Sequence, residues 1–312
     1  MVKNIAILII FFIFNSYANK ITDSIYWVGS ASASSIGFAQ TAKTNSPESI
    51  FFNPAALNTT EKSSINASYS SIYDTNFSNI SYVASNQIMS FGIGFHTNQS
   101  SNIEKTTFND ETNQVVQNGT YNFEYSSFFI SAALQFPYIS FAHLGGSLHF
   151  HRMSIASETL SGRSINLGAH IQPFSFVSLG LTHHNVIPLY LTWLSKNEIN
   201  TEVSTTIHRI NTYRTFGVEV VPIQFKTFKW IILVDYELEG ITKTTTNNYS
   251  ALKYGTEIIY KNYAIKAGNN YRYLSFGLSV KLNQLQFNYS FLLPNEKEML
   301  ENRHAIGLNY FL

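Results

Sequence analysis

Cysteine is absent from the 312 residues, which removes thiol catalysis, thiolate-bound zinc, disulfide staples and lipoprotein-type anchoring. Charge is scarce as well: 12% of residues are Asp, Glu, Lys or Arg, roughly half the 25% or so usual in soluble domains. The net charge of +1 provides no basic face for phosphate contacts, so no nucleic-acid partner is expected. Long apolar runs are missing beyond the first twenty residues, and with them any helical membrane span. Helical periodicity is nearly absent too. What abounds is Phe (25) and Tyr (19), set among Asn, Ser and Thr throughout. That is too apolar for a disordered tail.

The N-terminus has its own logic. Met1-Val2-Lys3-Asn4 is a short positive stretch, Ile5 to Phe14 is unbroken apolar sequence, and Ser16-Tyr17-Ala18 sets small residues where a signal peptidase needs them. An apolar run of about ten residues is too short to span a bilayer as a helix. Residues 1–18 therefore read as a secretory signal cut near Ala18.

After it, a period of two persists to the last residue. Ile165, Leu167, Ala169 and Ile171 alternate with Asn166, Gly168, His170 and Gln172. Leu274, Phe276, Leu278, Val280 and Leu282 alternate with Ser275, Gly277, Ser279 and Lys281. A soluble sandwich and a barrel in lipid both produce such a pattern. Gly, Ser and Asn on the polar face, with few charges, suit a lumen better than a water-exposed sheet. Tyr73, Tyr121, Tyr213 and Tyr263 fall near strand ends, as the aromatic girdles of an outer-membrane barrel do. With helices excluded, a closed barrel is the remaining way to satisfy backbone groups in hydrocarbon.

About fourteen strand segments can be marked, from 63–73 to 303–312, an even number as bacterial single-chain barrels prefer. Short links at Ser85-Asn86-Gln87, Pro173-Phe174, Lys261-Asn262 and Asn283-Gln284 mostly alternate with the longer stretches 98–120, 187–211, 241–249 and 294–302. Short periplasmic turns and longer outer loops have this arrangement. The expected fold is an all-β, antiparallel, roughly fourteen-stranded transmembrane barrel over residues 63–312.

Residues 19–62 lack the alternation yet are apolar enough to need burial. Asn53 precedes Pro54, so it is held extended, and its amide can bond nearby backbone in an Asx-type turn. Inside a barrel the burial place is the lumen, as a plug or hatch. Here the chain resembles a known group. The small-residue stretch with Gly37, Ala39 and Ala42, followed by Phe52-Asn53-Pro54-Ala55-Ala56-Leu57, is similar to the N-terminal signature of the FadL family of outer-membrane proteins and of related PorV/PorQ-type barrels. Only Glu48 is acidic before the Asn-Pro-Ala, and Ala56 stands where Gly is usual. The resemblance implies a fourteen-stranded barrel with an N-terminal plug whose motif is Gly37, Ala39, Asn53, Pro54 and Ala55. It implies either passage of hydrophobic or small solutes across a Gram-negative outer membrane, or, as in PorV-like members, docking of exported proteins or secretion machinery. His304, Ile306, Leu308, Tyr310 and Leu312 resemble the terminal strand that the outer-membrane insertion machinery recognises, although Phe311 sits one place off that pattern.

Chemistry-bearing residues were weighed on the same faces. By parity Asp235, Glu237 and Glu239 point into the lumen, joined by Glu219 and Glu257, with Lys253, Lys266 and Lys281 a few strands away. These charges either form a constriction for polar solutes or hydrogen-bond the plug and hydrate the wall. The second account is adopted, since lumen positions tolerate polarity. His149 and His151 share a strand face, but no carboxylate completes a metal set at a defined spacing. No Gly-x-Ser-x-Gly elbow occurs. Neither catalysis nor a cofactor is expected. The expected neighbours are outer-membrane lipid, the insertion machinery, and a hydrophobic solute or secretion-system protein.

Overall fold

A computed structural model describes residues 30–72, 74–86, 88–109, 114–136, 139–156, 158–186, 189–193, 207–210, 212–239, 250–295 and 302–312. The signal segment 1–18, residues 19–29, Tyr73 and the link 241–249 lie outside them. Two one-turn helices, α1 (Ala31–Ser34) and α2 (Ser49–Phe52), and a 3-10 helix (Pro54–Thr59) come first. They are followed by β1 (Ser64–Ile72), β2 (Thr75–Ala84), β3 (Met89–Asn109), β4 (Gln114–Gln135), β5 (Ala142–Ile155), β6 (Glu158–Phe174), β7 (Val177–His184), β8 (Leu189–Trp193) and β9 (Ile207–Ile210). The remainder is β10 (Tyr213–Gln224), β11 (Phe228–Glu239), β12 (Ser250–Tyr260), β13 (Tyr263–Asn269), β14 (Tyr273–Leu282), β15 (Leu285–Pro294) and β16 (Arg303–Phe311).

Among the described residues every pairing is antiparallel, and all but three, β1 with β16, β7 with β10 and β6 with β8, join chain neighbours. β1 pairs with β16, from Ser64↔Phe311 to Ser71↔His304, and β7 pairs with β10, stepping over β8 and β9. With β5 paired to β6, fourteen strands close a ring. β8 and β9 form a hairpin hung on the far end of β6 through Leu160↔Trp193 and Ser161↔Thr192. Closure leaves the ring itself without an open edge, the arrangement hydrocarbon favours.

Alternation then sorts the two faces. On β1, Ser64, Asn66, Ser68 and Ser70 are buried while Ile65 and Tyr69 are exposed. On β3, Phe91, Ile93 and Phe95 are exposed while Ser90 and His96 are buried. A water-soluble sheet would be built the other way round; an apolar outside suits lipid.

Two expectations are corrected. In the stretch 98–120, residues 98–109 and 114–120 are strand rather than loop: β3 and β4, of 21 and 22 residues, run on paired to Asn109↔Gln114. About 9–11 residues suffice to cross a bilayer, so this hairpin extends well beyond it. Residues 101–107 and 114–120 are almost all exposed. With both faces wet, nothing selects apolar residues at every second position, and the ladder continues without its signature. The girdle reading also fails for Tyr213, which faces inward and stacks on His184, ring centroids 4.2 Å apart. Tyr121, in turn, lies within β4.

Candidate functional site: the segment inside the ring

Residues 30–60 touch the inward side chains of strands all around the ring, so the segment lies within it. Small residues make this possible. α1 is capped by Ser30, whose Oγ accepts from Ala33 N at 3.1 Å, the usual role of Ser at a helix start. Its Ser34 Oγ meets Ser290 Oγ of β15 at 2.6 Å. Gly37 follows with φ +65, and a Cβ there would lie 2.6 Å from Asn269 O of β13. Close approach and a left-handed backbone both require glycine at this point.

The next residues are gripped by the acids of β10, β11 and β12. The Gln40 and Thr41 backbone N–H groups and the Thr41 hydroxyl donate to Asp235 Oδ2 at 2.9, 2.9 and 2.7 Å. Thr44 donates to Glu219 through its N–H at 3.1 Å and its hydroxyl at 2.5 Å. Lys43 Nζ donates to Glu257 Oε2 at 2.7 Å, and Lys266 Nζ reaches the other oxygen at 3.5 Å and Ser32 Oγ at 2.7 Å. Burial works against the Lys43 ammonium, but the Glu257, Glu48 and Glu219 carboxylates together outweigh it and hold Lys43 above the ordinary lysine range. Burial pushes the Glu48 carboxyl up. Charge-assisted bonds in a dry lumen are the strong ones.

Asn53 is extended (φ −141, ψ 105), as a residue before proline should be. Its Oδ1 accepts from Ala55 N at 3.1 Å, while Nδ2 donates to Thr41 O at 2.8 Å and to Ala169 O of β6 at 3.2 Å. One side chain thus ties two turns of the segment together and to the wall. Pro54 opens the 3-10 helix, where its missing donor costs nothing. Asn58 Nδ2 lies 3.1 Å from His143 Nδ1, and Asn58 Oδ1 accepts from Ser90 Oγ at 3.0 Å.

Of the residues expected from the sequence, Gly37, Ala39, Asn53, Pro54 and Ala55 are all in this segment. Asp235, Glu219, Glu257 and Lys266 bond to it directly. Glu237 instead pairs with Lys253 at 2.7 Å, and Lys281 sits at the short-turn end over the Phe311 ring, 4.5 Å from its centroid. The acids are therefore not an open constriction. Reading the sequence noted Glu48 only within the signature and overlooked Lys43 and Arg303, the last fully buried over the Phe77 ring at 4.4 Å. Strand parity would have found Arg303, since it shares the inward side with Ala305 and Asn309.

Glycines were also overlooked, and they trace where the segment lies. Cross-strand pairs Gly145↔Gly168, Gly180↔Gly217 and Gly255↔Gly268 face it. A Cβ on Gly180 would sit 2.1 Å from Thr41 O, and one on Gly145 2.4 Å from Ala55 N. On the β3–β7 side the contacts are rings instead. Phe51 meets Phe129 edge-on at 5.3 Å, Phe129 stacks on His149 at 4.8 Å, and Tyr125 Oη lies 2.7 Å from His151 Nδ1. A cavity of about 50 Å³ lies among them. Among the described residues, apolar clusters around Phe38, Ile36 and Ile50 join segment and wall.

The class is thereby defined: a closed β-barrel, apolar outside and polar inside, whose ring is crossed by its own N-terminal segment. No protein family matches the chain by sequence, and no curated protein resembles it. Its fold is similar to that of solved transporter barrels. The toluene transporter TodX of Pseudomonas putida superposes with a TM-score of 0.62 at 12% identity, covering 91% of this chain and 97% of that one. The toluene transporter TbuX of Ralstonia pickettii gives 0.58 at 10%, covering 90% and 98%. A FadL homologue of Pseudomonas aeruginosa gives 0.55 at 9%, covering 90% and 98%. At such identities the likeness is one of fold, and it is the fold that the Asn53-Pro54-Ala55 signature implied.

Proposed function

We propose that this barrel passes small apolar solutes across the outer membrane of a Gram-negative bacterium, with residues 19–62 as a displaceable plug and no covalent chemistry. One observation carries the reading. The segment occupies the ring on discrete anchors, chiefly Asp235, Glu219, Glu257 and Ala169 O, with apolar contacts to the wall around Phe38, Ile36 and Ile50. Passage through the ring requires this segment to shift. The transport of toluene by two barrels of the same fold supports an apolar cargo, and the apolar outer face supports a bilayer setting.

A lock tests it. Because the chain has no cysteine, Ser34→Cys with Ser290→Cys makes a single thiol pair where the hydroxyls lie 2.6 Å apart. In proteoliposomes, toluene uptake is expected to stop when the pair is oxidised and to return on reduction. Equal uptake in both states would remove the plug from the mechanism. A barrel that gave no uptake, yet co-purified with exported proteins, would be a docking protein instead.

A further inference from the structure

The second cavity inside the ring has no part in the reading above. It measures about 310 Å³ and lies between residues 43–47 and the short-turn ends of β11 to β14 and β16. In barrels of this kind the short turns are periplasmic. Six lysines line it: Lys43, Lys62, Lys229, Lys261, Lys266 and Lys281. Against them stand two glutamates in the lining, with Glu48 and Glu219 close behind it, Glu219 acting on Lys229 and Lys43 and Glu48 on Lys266 and Lys43. Glu257 is already shared by Lys43 and Lys266, at 2.7 and 3.5 Å, and Glu61 is exposed at the mouth. Lys62, Lys229, Lys261 and Lys281 make no ion pair among the described residues. Lys229, half-buried, and Lys281, exposed, have inward parity on β11 and β14, and the Lys281 ammonium lies over the Phe311 ring, 4.5 Å from its centroid.

Six lysines against four glutamates leave a surplus of two positive charges around one recess, a local bias in a chain of net charge +1. Partly enclosed by a low-dielectric wall, such charges repel one another and focus the field on the space between them. A bound cation would worsen this and an apolar ligand would leave it unchanged. A small oxyanion would relieve it, because each of its oxygens can accept from an ammonium group. The volume suits such a ligand with part of its hydration shell.

We infer that this recess is a binding site for a small oxyanion, phosphate or carboxylate, taken from solution at the periplasmic mouth. Lys229 and Lys281 are its contacts on the wall, and Lys62 and Lys261 close over it from the rim. The site sits beside the segment that carries Lys43, so occupancy adds a neighbour to the Lys43–Glu257 anchor. This inference is independent of the cargo proposed above.

The test uses the full mature chain in a non-ionic detergent, titrated calorimetrically with inorganic phosphate and, separately, with acetate. Wild type is expected to bind phosphate saturably and acetate more weakly. Lys229→Gln combined with Lys281→Gln is expected to weaken phosphate binding at least about tenfold. Lys105→Gln, on an exposed stretch of β3 at the other end of the barrel, is expected to bind as wild type does. Heat-modified gel migration confirms that each variant retains its barrel. Absence of saturation with both anions, or binding that survives the double substitution, or equal loss in Lys105→Gln, would overturn the site.

Discussion

Replacing Asp235 with Ala removes the acceptor on which the segment's first turn hangs. The carboxylate takes three bonds, from Gln40 N, Thr41 N and Thr41 Oγ1 at 2.9, 2.9 and 2.7 Å. Hydrogen bonds to a charged group contribute about 1.5–3 kcal/mol each. Part of that sum is offset because a buried carboxylate no longer has to be kept from water, a relief of several kcal/mol. What remains is the cost of two buried backbone N–H groups left unmatched, about 1–3 kcal/mol apiece. A net loss of about 3 kcal/mol in the hold on the segment follows, or roughly a hundredfold in how often it leaves its seat. The assay is trypsin cleavage after Lys43. The protease cannot enter the ring, so this cut reports exit of the segment, at a rate that follows the open population while reclosing is fast. Asp235→Ala is expected to speed the cut about a hundredfold with barrel migration on gels unchanged. Asp235→Asn keeps an acceptor oxygen for the two N–H groups and is expected to lie close to wild type. Cleavage of Asp235→Ala at the wild-type rate would refute the claim that polar anchors on β11 retain the segment.

Further outcomes follow from the same geometry. Asn53→Ala deletes the bonds to Thr41 O, Ala169 O and Ala55 N and is expected to speed cutting near residue 53 by about ten- to a hundredfold; unchanged cutting would show that the motif does not hold the segment. Gly180→Ala brings a Cβ to 2.1 Å from Thr41 O, whereas Gly146→Ala meets nothing nearer than 3.5 Å. The first is expected to release the segment and the second to leave it seated, read by the same cleavage. Lys43→Met, which removes the trypsin site, is followed instead by chymotrypsin cleavage after Phe52 and is expected to be cut faster by the same factor at pH 7 and pH 9. With its pKa held above the ordinary 10.5, the ammonium's contribution is fully present below that value and fades only as pH rises through the folded-state pKa. Ile93→Arg, on the exposed outer face, is expected to cost about 2–4 kcal/mol of stability in a refolding titration in lipid, while Ser131→Asn, on the inner face, costs far less.

Much of the barrel was written in its residues. The alternation of Leu274 to Leu282 or Ile165 to Ile171 marks strand, face and extent together, because a wall between hydrocarbon and a polar lumen forces opposite chemistry on successive side chains. The same force was lacking above the membrane. There β3 and β4 continue through Thr, Asn, Gln and Glu with both faces wet, and the hairpin read as a loop. Inward glycines were visible in principle, each at a polar-face position of its strand. Their meaning was not, because an absent side chain signals only that something comes close, not what.

What the sequence determined by itself was the ring, its outward face and the non-strand character of residues 30–62. These depend on interactions between near neighbours or with solvent, which local pattern records. Only the tertiary structure decided that Asp235, nearly two hundred residues away, receives Thr41, that Asn53 bonds Ala169, and that lysines from five separate stretches surround one recess. Such partners meet through ring closure and strand register. That long-range geometry emerges when every ladder is satisfied at once, and no stretch of sequence carries it alone.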